Sequence, residues 1–212
     1  MRVKNGDQHK QAIIAAATHL FSGRSVKDVS IDDIVKTAGI AKGTFYLYFT
    51  SKKALLSHLA EDWVGKMVSK VNEIAARTDM SAFQLFIVAF FSLKEIENDQ
   101  PYLHAALDTA NNIDLHEQIN IAWVKQIGVA LAPLIERGCC EGDFDVEDAL
   151  STIQFILAGQ AYLLGNKQFS WSEAECQAHF IAVLKLAERA LGVKQGRLLE
   201  AFLGNDLYQK KD

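Results

Sequence analysis

Apolar residues recur every three or four positions along nearly the whole chain, which is the spacing of one face of an α-helix. Only two prolines, Pro101 and Pro133, occur in 212 residues, and no segment alternates apolar and polar residues as a half-buried strand does. The pattern therefore predicts an all-α fold. The expected helices are a first one ending near Gly23, a second from Ser30 to Ala38, a third over 42–49, a fourth starting at Ser51, and then 81–97, 102–109, 113–137, 146–165, 173–192 and 196–204.

Basic residues are concentrated at the N-terminal end of the chain. Residues 1–53 contain nine Lys or Arg and four Asp, a net charge of +5, whereas the remaining residues carry −9. This asymmetry is typical of a protein in which one end faces nucleic acid. Half of the residues are hydrophobic, enough for a small domain joined to a larger one. We place the boundary within the fourth helix, which gives a small domain over 1–55 and a larger helical domain over 56–212.

The segment 30–53 has the pattern of a helix-turn-helix. Ser30, with an acid three residues later, is a capping-box pattern at the start of one helix. Gly39 then permits a left-handed turn at no steric cost, and a third short helix follows. A recognition helix must expose its N-terminal end to enter the major groove. Phe45 and Phe49 are four residues apart, so we expect them to point inward and hold this helix against its neighbours.

Polar residues of this segment have the chemistry that DNA recognition requires. Three residues at the start of the third helix are small or polar enough to approach bases, and two tyrosine hydroxyls are placed to bind phosphates. One lysine adds charge to the N-terminus of the fourth helix, which itself attracts phosphate. The alternative is ordinary helix packing, with the tyrosines in the core. The predicted DNA-contacting residues are Lys42, Gly43 and Thr44 for the bases, Tyr46 and Tyr48 for phosphates, and Lys52 for a phosphate at the start of the fourth helix.

The run IVKTAGIAKGTFYLYFTSKKAL, residues 34–55, closely resembles the signature of the tetracycline-repressor-like (TetR/AcrR) family. The specific match extends over about residues 10–60, and the rest of the chain matches only in length and helical character. The resemblance implies a homodimeric transcriptional regulator, usually a repressor, that binds a palindromic double-stranded operator and is released by a small ligand. It also implies that Ser30 meets a phosphate, since a hydroxyl residue is frequent at this position.

Two residues depart from the family pattern. Ala41 stands where serine or threonine is common, which removes a capping or phosphate-binding hydroxyl. Lys53 stands where glutamate is common, which makes this edge more basic. Neither departure argues against DNA binding, but both obscure the operator sequence.

A dimer is expected because one recognition helix contacts too few base pairs, whereas two helices related by a twofold axis read a palindrome. The helices near 146–165 and 173–192 combine large apolar residues with small ones, and two copies of the pair would form a four-helix bundle. The alternative is that these faces pack within one subunit.

A ligand pocket in the larger domain is expected to be mostly apolar with a few polar groups. The identity of the effector is open, although the aromatic content favours a hydrophobic or planar molecule. Each aromatic residue is individually more often ordinary core. The candidate ligand-binding residues are Trp63, Phe86, Phe90, Tyr102, Asp108, Trp123, Gln126 and Phe155.

Other classes of function have little support in the sequence. No GxGxxG, P-loop, HExxH or nucleophile-elbow motif is present, so we expect no enzyme and no cofactor. Adjacent Cys139 and Cys140 lack nearby histidines at zinc-ligand spacing, so we predict no metal and a helix end there instead. An N-terminal apolar signal segment is absent, which predicts a cytoplasmic protein without a membrane partner. The remaining alternative is a ligand-independent DNA-binding regulator or an activator.

Overall fold

A computed structural model describes residues 3–98, 113–165 and 169–204, and within these ranges every regular element is helical. The helices agree with the predicted ones to within a few residues, and the expected helix over 102–109 lies outside the described residues. The helices are α1 Val3–Gly23, α2 Ile31–Ala38, α3 Lys42–Tyr46, α4 Lys52–Ala75, α5 Ala82–Asn98, α6 Ile113–Ala122, α7 Gly128–Glu141, α8 Ala149–Gly165, α9 Glu173–Ala190 and α10 Arg197–Leu203.

Two deviations from the predicted helices have local causes. The third helix ends at Tyr46 rather than Phe49, because Leu47 donates its N–H to the carbonyl of Thr44 and begins a tighter turn. The helix expected over 113–137 is interrupted by a π-helical segment, Trp123–Ile127, and then continues to Glu141. Such segments insert one extra residue into a helical turn, which apolar spacing alone does not reveal.

The described residues form two compact units. The N-terminal unit comprises residues 3–65 with 96–98 and 113–119, and the C-terminal unit comprises 66–95, 120–165 and 169–204. The division falls inside α4, at Gly65 and Lys66. The predicted boundary at 55/56 stays a prediction, because contacts in a folded chain do not establish which part folds alone.

In the N-terminal unit, α1, α2 and α3 pack around one small core. Ile13, Ile34 and Phe45 come from the three helices in turn, and their side chains are completely buried. The Phe49 ring lies beside that of Phe45, with the centroids 5.9 Å apart, so the pair points inward as expected. Burial of each such side chain contributes about 1.5–3 kcal/mol, which fixes α3 against α1 and α2.

The C-terminal unit is built around α7 and α8, which pack closely together, and α9 packs on α8. Phenylalanines from α5, the α7–α8 loop, α9 and α10 surround a second apolar centre. At Gly138 in α7, an added Cβ would lie 2.1 Å from Cδ2 of Phe144, so only glycine lets this ring pack there. The rings of this centre are Phe83, Phe86, Phe90, Phe91, Phe144, Phe180 and Phe202.

Helix α10 is held by a buried carboxylate from α9. Glu188 is 2% exposed, and its oxygens accept the backbone N–H groups of Gly196, Leu198 and Leu199 at 2.8–3.3 Å. These donors belong to the start of α10, where a helix leaves amides without internal partners. One side chain therefore caps the helix that carries Phe202 into the aromatic centre.

One helical run, His116–Glu141, is long and apolar enough to span a membrane by length and composition, with a mean hydropathy of 1.2. In this protein it supplies core side chains, and Ile127, Leu131 and Ile135 are completely buried. A core helix meets the same criteria, and this one contributes its apolar face to the C-terminal unit.

Candidate nucleic-acid interface

The start of α2 is organised by the predicted capping box. The Ser30 hydroxyl accepts the N–H of Asp33 at 3.1 Å, and the Asp33 carboxylate accepts the N–H and the hydroxyl of Ser30 at 2.9 and 2.8 Å. These hydrogen bonds, with a smaller contribution from Arg24, lower the pKa of Asp33. The hydroxyl of Ser30 thus has a defined local role, and its contact with a phosphate stays a prediction.

The turn between α2 and α3 depends on Gly39. Its φ of 68° lies in the left-handed region, and its N–H donates to the carbonyl of Lys36 as the helix ends. Side chains with a Cβ are strained in this conformation. Ala41 is the residue immediately before α3. It provides no side-chain cap, because a methyl group cannot accept a hydrogen bond.

Helix α3 has one buried side and one open side. Phe45 and Phe49 are buried, whereas Lys42 and Gly43 are exposed and Thr44 is partly exposed. The three residues predicted to approach bases therefore come together at the start of a helix whose core side is fully occupied. The sequence interpretation omitted Leu47, which is 80% exposed and follows α3 directly.

The two tyrosines differ in position. Tyr46 is 48% exposed, and its ring meets that of Phe45 edge-on with the centroids 5.5 Å apart. Tyr48 is partly buried. The Tyr46 ring is therefore braced on one side by the core, and the Tyr48 ring is partly covered. Their phosphate contacts stay predictions.

Lys42 pairs with an acid on α2. Its ammonium lies 2.8 Å from Oδ1 of Asp32, and both side chains are more than half exposed. The hydrogen bond and the charge of Asp32 raise the pKa of Lys42, so the side chain is cationic at any physiological pH. Exposed pairs of this type are weak, so Asp32 competes little with a phosphate for the Lys42 ammonium.

Lys52 has a different environment from the one expected. Its ammonium donates to the carbonyl oxygens of Val26 and Val29, both at 2.8 Å, and so ties the start of α4 to the loop before α2. Burial lowers the pKa of Lys52, and the charge of Asp28 opposes that effect. An ammonium has three N–H donors. At most one is left for a phosphate, and that contact stays a prediction.

Known proteins match this part of the chain most specifically. Residues 13–59 match the sequence model of the family described as bacterial regulatory proteins, tetR family. Over 57 residues the chain is 46% identical to EthR of Mycobacterium tuberculosis, an HTH-type transcriptional regulator. Over 52 residues it is 50% identical to YvdT of Bacillus subtilis, also described as an HTH-type transcriptional regulator. The N-terminal segment belongs to the TetR family.

The extent of the TetR match is limited to this segment. The aligned stretches cover 27% and 24% of this chain and 26% and 27% of EthR and YvdT, so the chain spans about a quarter of the length of the curated relatives it matches. All seven residues predicted to contact DNA fall inside the TetR segment. The resemblance inferred from residues 34–55 is confirmed.

Solved structures extend the likeness in fold beyond the N-terminal segment. RolR in complex with resorcinol aligns with a TM-score of 0.66 at 19% identity, over 93% of this chain and 94% of that chain. A γ-butyrolactone receptor, an ArpA-like protein, aligns with a TM-score of 0.50 at 19% identity, over 88% and 97%. At such identities the likeness concerns the fold, and the predicted all-α architecture with an N-terminal helix-turn-helix domain is confirmed.

The predicted ligand-binding residues occupy several environments. Phe86 is buried, with its ring centroid 4.9 Å from that of Phe90. In the π-helical segment, Trp123 is partly buried and Gln126 is exposed. Trp63 is buried in the N-terminal unit, where its indole N–H donates to the carbonyl of Ile96 at 3.3 Å. Their contact with a ligand stays a prediction, and the remaining two candidates, Tyr102 and Asp108, lie outside the described residues.

Phe155 does not lie in the interior of its unit. Its side chain is 79% exposed, while Ile153 and Leu157 fill the inward face of α8 and are completely buried. Because residues two apart on a helix point in nearly opposite directions, Phe155 is left on the outer face. This position suits an interface better than the internal cavity that the sequence suggested.

The cysteines and acids form no obvious metal site in the ranges that the structure describes. Cys139 and Cys140 lie in the last turn of α7, which ends at Glu141 just before Gly142, so the predicted helix end is present. Among the described residues, no group of three His, Cys, Asp or Glu side chains is arranged to hold a metal ion.

Proposed function

We propose that this chain is a sequence-specific DNA-binding transcriptional regulator, a cytoplasmic homodimeric repressor that a small ligand releases from a palindromic operator. The proposal rests on the TetR segment 13–59, in which Phe45 of α3 and Phe49 just after it are buried while Lys42, Gly43 and Thr44 stay open to solvent. Since the matched relatives are transcriptional regulators by description, an enzymatic role has no support from them.

The first experiment measures binding to DNA. Fluorescence anisotropy with the duplex upstream of the gene, scrambled competitor and a salt series separates specific from general binding. We expect competitor-resistant binding at two protomers or a multiple per site. If scrambled DNA displaced the protein equally well from this duplex, a selection from random or genomic DNA would follow. Failure of that selection to enrich any sequence would contradict the proposal.

The homodimer is supported by an exposed apolar face on α8 and α9. Phe155 and Tyr162, seven residues apart on α8, are 79% and 61% exposed, with exposed Ala158 and Gly159 between them. Leu186 on α9 is 59% exposed. Small residues beside large ones allow close approach of a second copy, and two helices from each protomer make a four-helix bundle.

A substitution tests this face directly. Phe155→Glu places a charge where we propose that two copies meet, and burial of an unpaired charge is strongly unfavourable. We expect sedimentation equilibrium to show a shift from dimer to monomer, with loss of operator binding. Val129→Glu is the matched control, because Val129 is a 58% exposed apolar residue on α7 of the same unit. Equal dimerisation of the two variants would contradict the assignment.

The proposed effector binds in the C-terminal unit, near its aromatic centre. Support comes from the aromatic centre of the C-terminal unit and from the structural neighbours, one of which was crystallised with resorcinol and another of which is a γ-butyrolactone receptor. A planar, mostly apolar effector fits this environment. Resorcinol and a γ-butyrolactone are therefore the first probes for release of bound operator. The informative compound releases wild-type protein from operator and fails to release Phe86→Ala. If that variant still dimerises as wild type does, the result would support a pocket at Phe86.

The competing function is regulation without a ligand, or activation. Screening that finds no releasing compound, together with operator occupancy in cells that rises with transcription, would favour it.

A further inference from the structure

Leu47 directly follows α3 and continues its open side. Its φ of −71° and ψ of −23° keep it in helical conformation immediately after Tyr46. Because successive helical residues turn by about 100°, Leu47 lies about 160° around the axis from both Phe45 and Phe49. Those two rings are buried, and Leu47 is the most exposed large hydrophobic side chain among the described residues. It thus points away from the core. Viewed down the helix axis, it lies between Gly43 and Thr44 on the open side.

An apolar side chain in this position differs chemically from its neighbours. Lys42, Tyr46 and Tyr48 carry donors for phosphate oxygens, whereas leucine has none and gains nothing beside a phosphate. The major groove offers hydrogen-bonding edges on every base pair, but its distinctive apolar group is the C5-methyl of thymine. A leucine at the centre of a groove-facing surface therefore favours a thymine over the other bases.

We propose that Leu47 is a specificity-determining residue that packs on a thymine methyl group in each half of the operator. This inference rests on the proposed function, since it requires that α3 enter the major groove. It adds a feature of the operator itself: each half-site carries a thymine at the same distance from the twofold axis. Since the recognition helices of a dimer read half-sites about one turn apart or a multiple of it, the two thymines are symmetric and separated accordingly.

Removal of single methyl groups from the DNA tests the inference. Once a bound operator is in hand, each thymine is replaced in turn by deoxyuridine, which has the same hydrogen-bonding edge and lacks only the methyl. For wild-type protein we expect one symmetric pair of positions to be sensitive, with about fourfold weaker binding per methyl lost, the effect of exposing one buried carbon. Replacing both thymines should weaken binding about fifteenfold.

The same DNA series is then measured with Leu47→Ala. This variant should bind the unmodified operator at least tenfold more weakly, and the sensitive positions should respond to deoxyuridine by less than twofold. Leu47→Met keeps an apolar side chain of similar size and should retain most of the methyl sensitivity. Val129→Ala, the control at an exposed apolar position in the other unit, should leave both properties unchanged.

The outcomes separate the inference from the proposed function. Specific binding with no deoxyuridine-sensitive pair in wild-type protein would overturn the role of Leu47 and leave the regulator proposal standing. The same conclusion would follow if Leu47→Ala responded to deoxyuridine as wild type does. Absence of specific binding by wild-type protein to any selected sequence would remove the proposed function first. The wild-type arm does not depend on the folding of any variant.

Discussion

Some of the interactions that stabilise each unit join residues at very different separations along the chain. In the N-terminal unit, Ser30 bonds Asp33 three residues away, and Lys42 meets Asp32 ten residues away. In the C-terminal unit, Arg137 donates to the carbonyl of Arg77, sixty residues earlier. The first kind of interaction leaves a local pattern in the sequence, whereas the second depends on the completed fold.

This difference explains where the sequence can be interpreted residue by residue. A segment that must present a helix to DNA is constrained by its own packing and by the fixed dimensions of the major groove, which is about 12 Å wide. To reach its fold, the C-terminal unit has to bury its apolar faces, a requirement that many sequences satisfy.

Loss of the Glu188 carboxylate should have the largest effect, and it should be confined to the C-terminal unit. Glu188→Ala leaves three amides at the start of α10 without their acceptor and opens a cavity in α9, so we expect a loss of about 2–4 kcal/mol in the free energy of unfolding. Denaturant titration followed by circular dichroism measures this. Hydrogen exchange should accelerate in α10 while α2 and α3 stay protected.

Two variants control for this result. Glu147→Ala removes an exposed carboxylate from the same unit and should change stability by less than about 0.5 kcal/mol. Glu188→Gln keeps one acceptor oxygen and should fall between the two. Equal stability of Glu188→Ala and Glu147→Ala would show that the Glu188 carboxylate does not secure this helix.

Lys52 tests whether the N-terminal unit also depends on interactions between residues far apart in sequence, because its partners lie 26 and 23 residues away. Lys52→Met keeps the apolar stem and removes two hydrogen bonds from a partly buried ammonium, so we expect a loss of about 1–2 kcal/mol. Lys53→Met removes the same charge at the exposed neighbouring position and should cost much less.

The salt dependence of operator binding adds an independent measurement on these two variants. Each phosphate contact that is lost lowers the slope of log K against log salt by about one. An unchanged slope for Lys52→Met would remove Lys52 from the predicted phosphate contacts. A lowered slope with unchanged stability would instead contradict the bracing role of its two carbonyl contacts.

The two serine-capped helices permit a direct comparison between the units. Ser30 caps α2, and Ser172 caps α9 through the same reciprocal hydrogen bonds, with Glu175 as its partner. Replacement of either serine by alanine should cost about 1 kcal/mol of stability, the usual value for an N-cap. Only Ser30→Ala should also weaken operator binding, since α2 supports the recognition helix. Equal operator affinity for both variants would place Ser30 outside the DNA interface.

The effect of Ser30→Ala should also depend on pH. The fold lowers the pKa of Asp33 below its ordinary value near 3.8, so the ionised carboxylate contributes stability above that value. The contribution disappears as the pH falls through the lowered, folded-state pKa. The stability difference between wild type and Ser30→Ala should therefore be constant from pH 7 to 5 and shrink below about pH 4. A difference that grew in acid would contradict this assignment.

Most of the fold was accessible from the sequence because helices are local structures. Apolar spacing predicted the described helices. Ser30 and Gly39 in addition predicted the two ends of α2. The π-helical segment was missed because the residues of Trp123–Ile127 are compatible with an ordinary helix. The hydrogen bonds of Lys52 were missed because its partners are backbone carbonyls, which every residue carries.

The candidate sites divide in the same way. The basic and aromatic residues over 42–52 could be proposed as DNA contacts because DNA binding would restrict both their type and their spacing, and those contacts stay predictions. Leu47 was passed over as one leucine among many, although its position opposite Phe45 and Phe49 would have signalled an outward side chain. Phe155 was assigned to a cavity because composition does not tell which face of α8 is inward, and the burial of Ile153 and Leu157 decides it.

The close packing of Gly138 against Phe144 also limits how this protein can change over generations. Any side chain at Gly138 would collide with the Phe144 ring, since even a methyl carbon would lie 2.1 Å from Cδ2. A smaller residue at Phe144 leaves a void, which lowers stability without blocking the fold. Descendants can therefore acquire both changes in only one order, with position 144 shrinking before position 138 can grow.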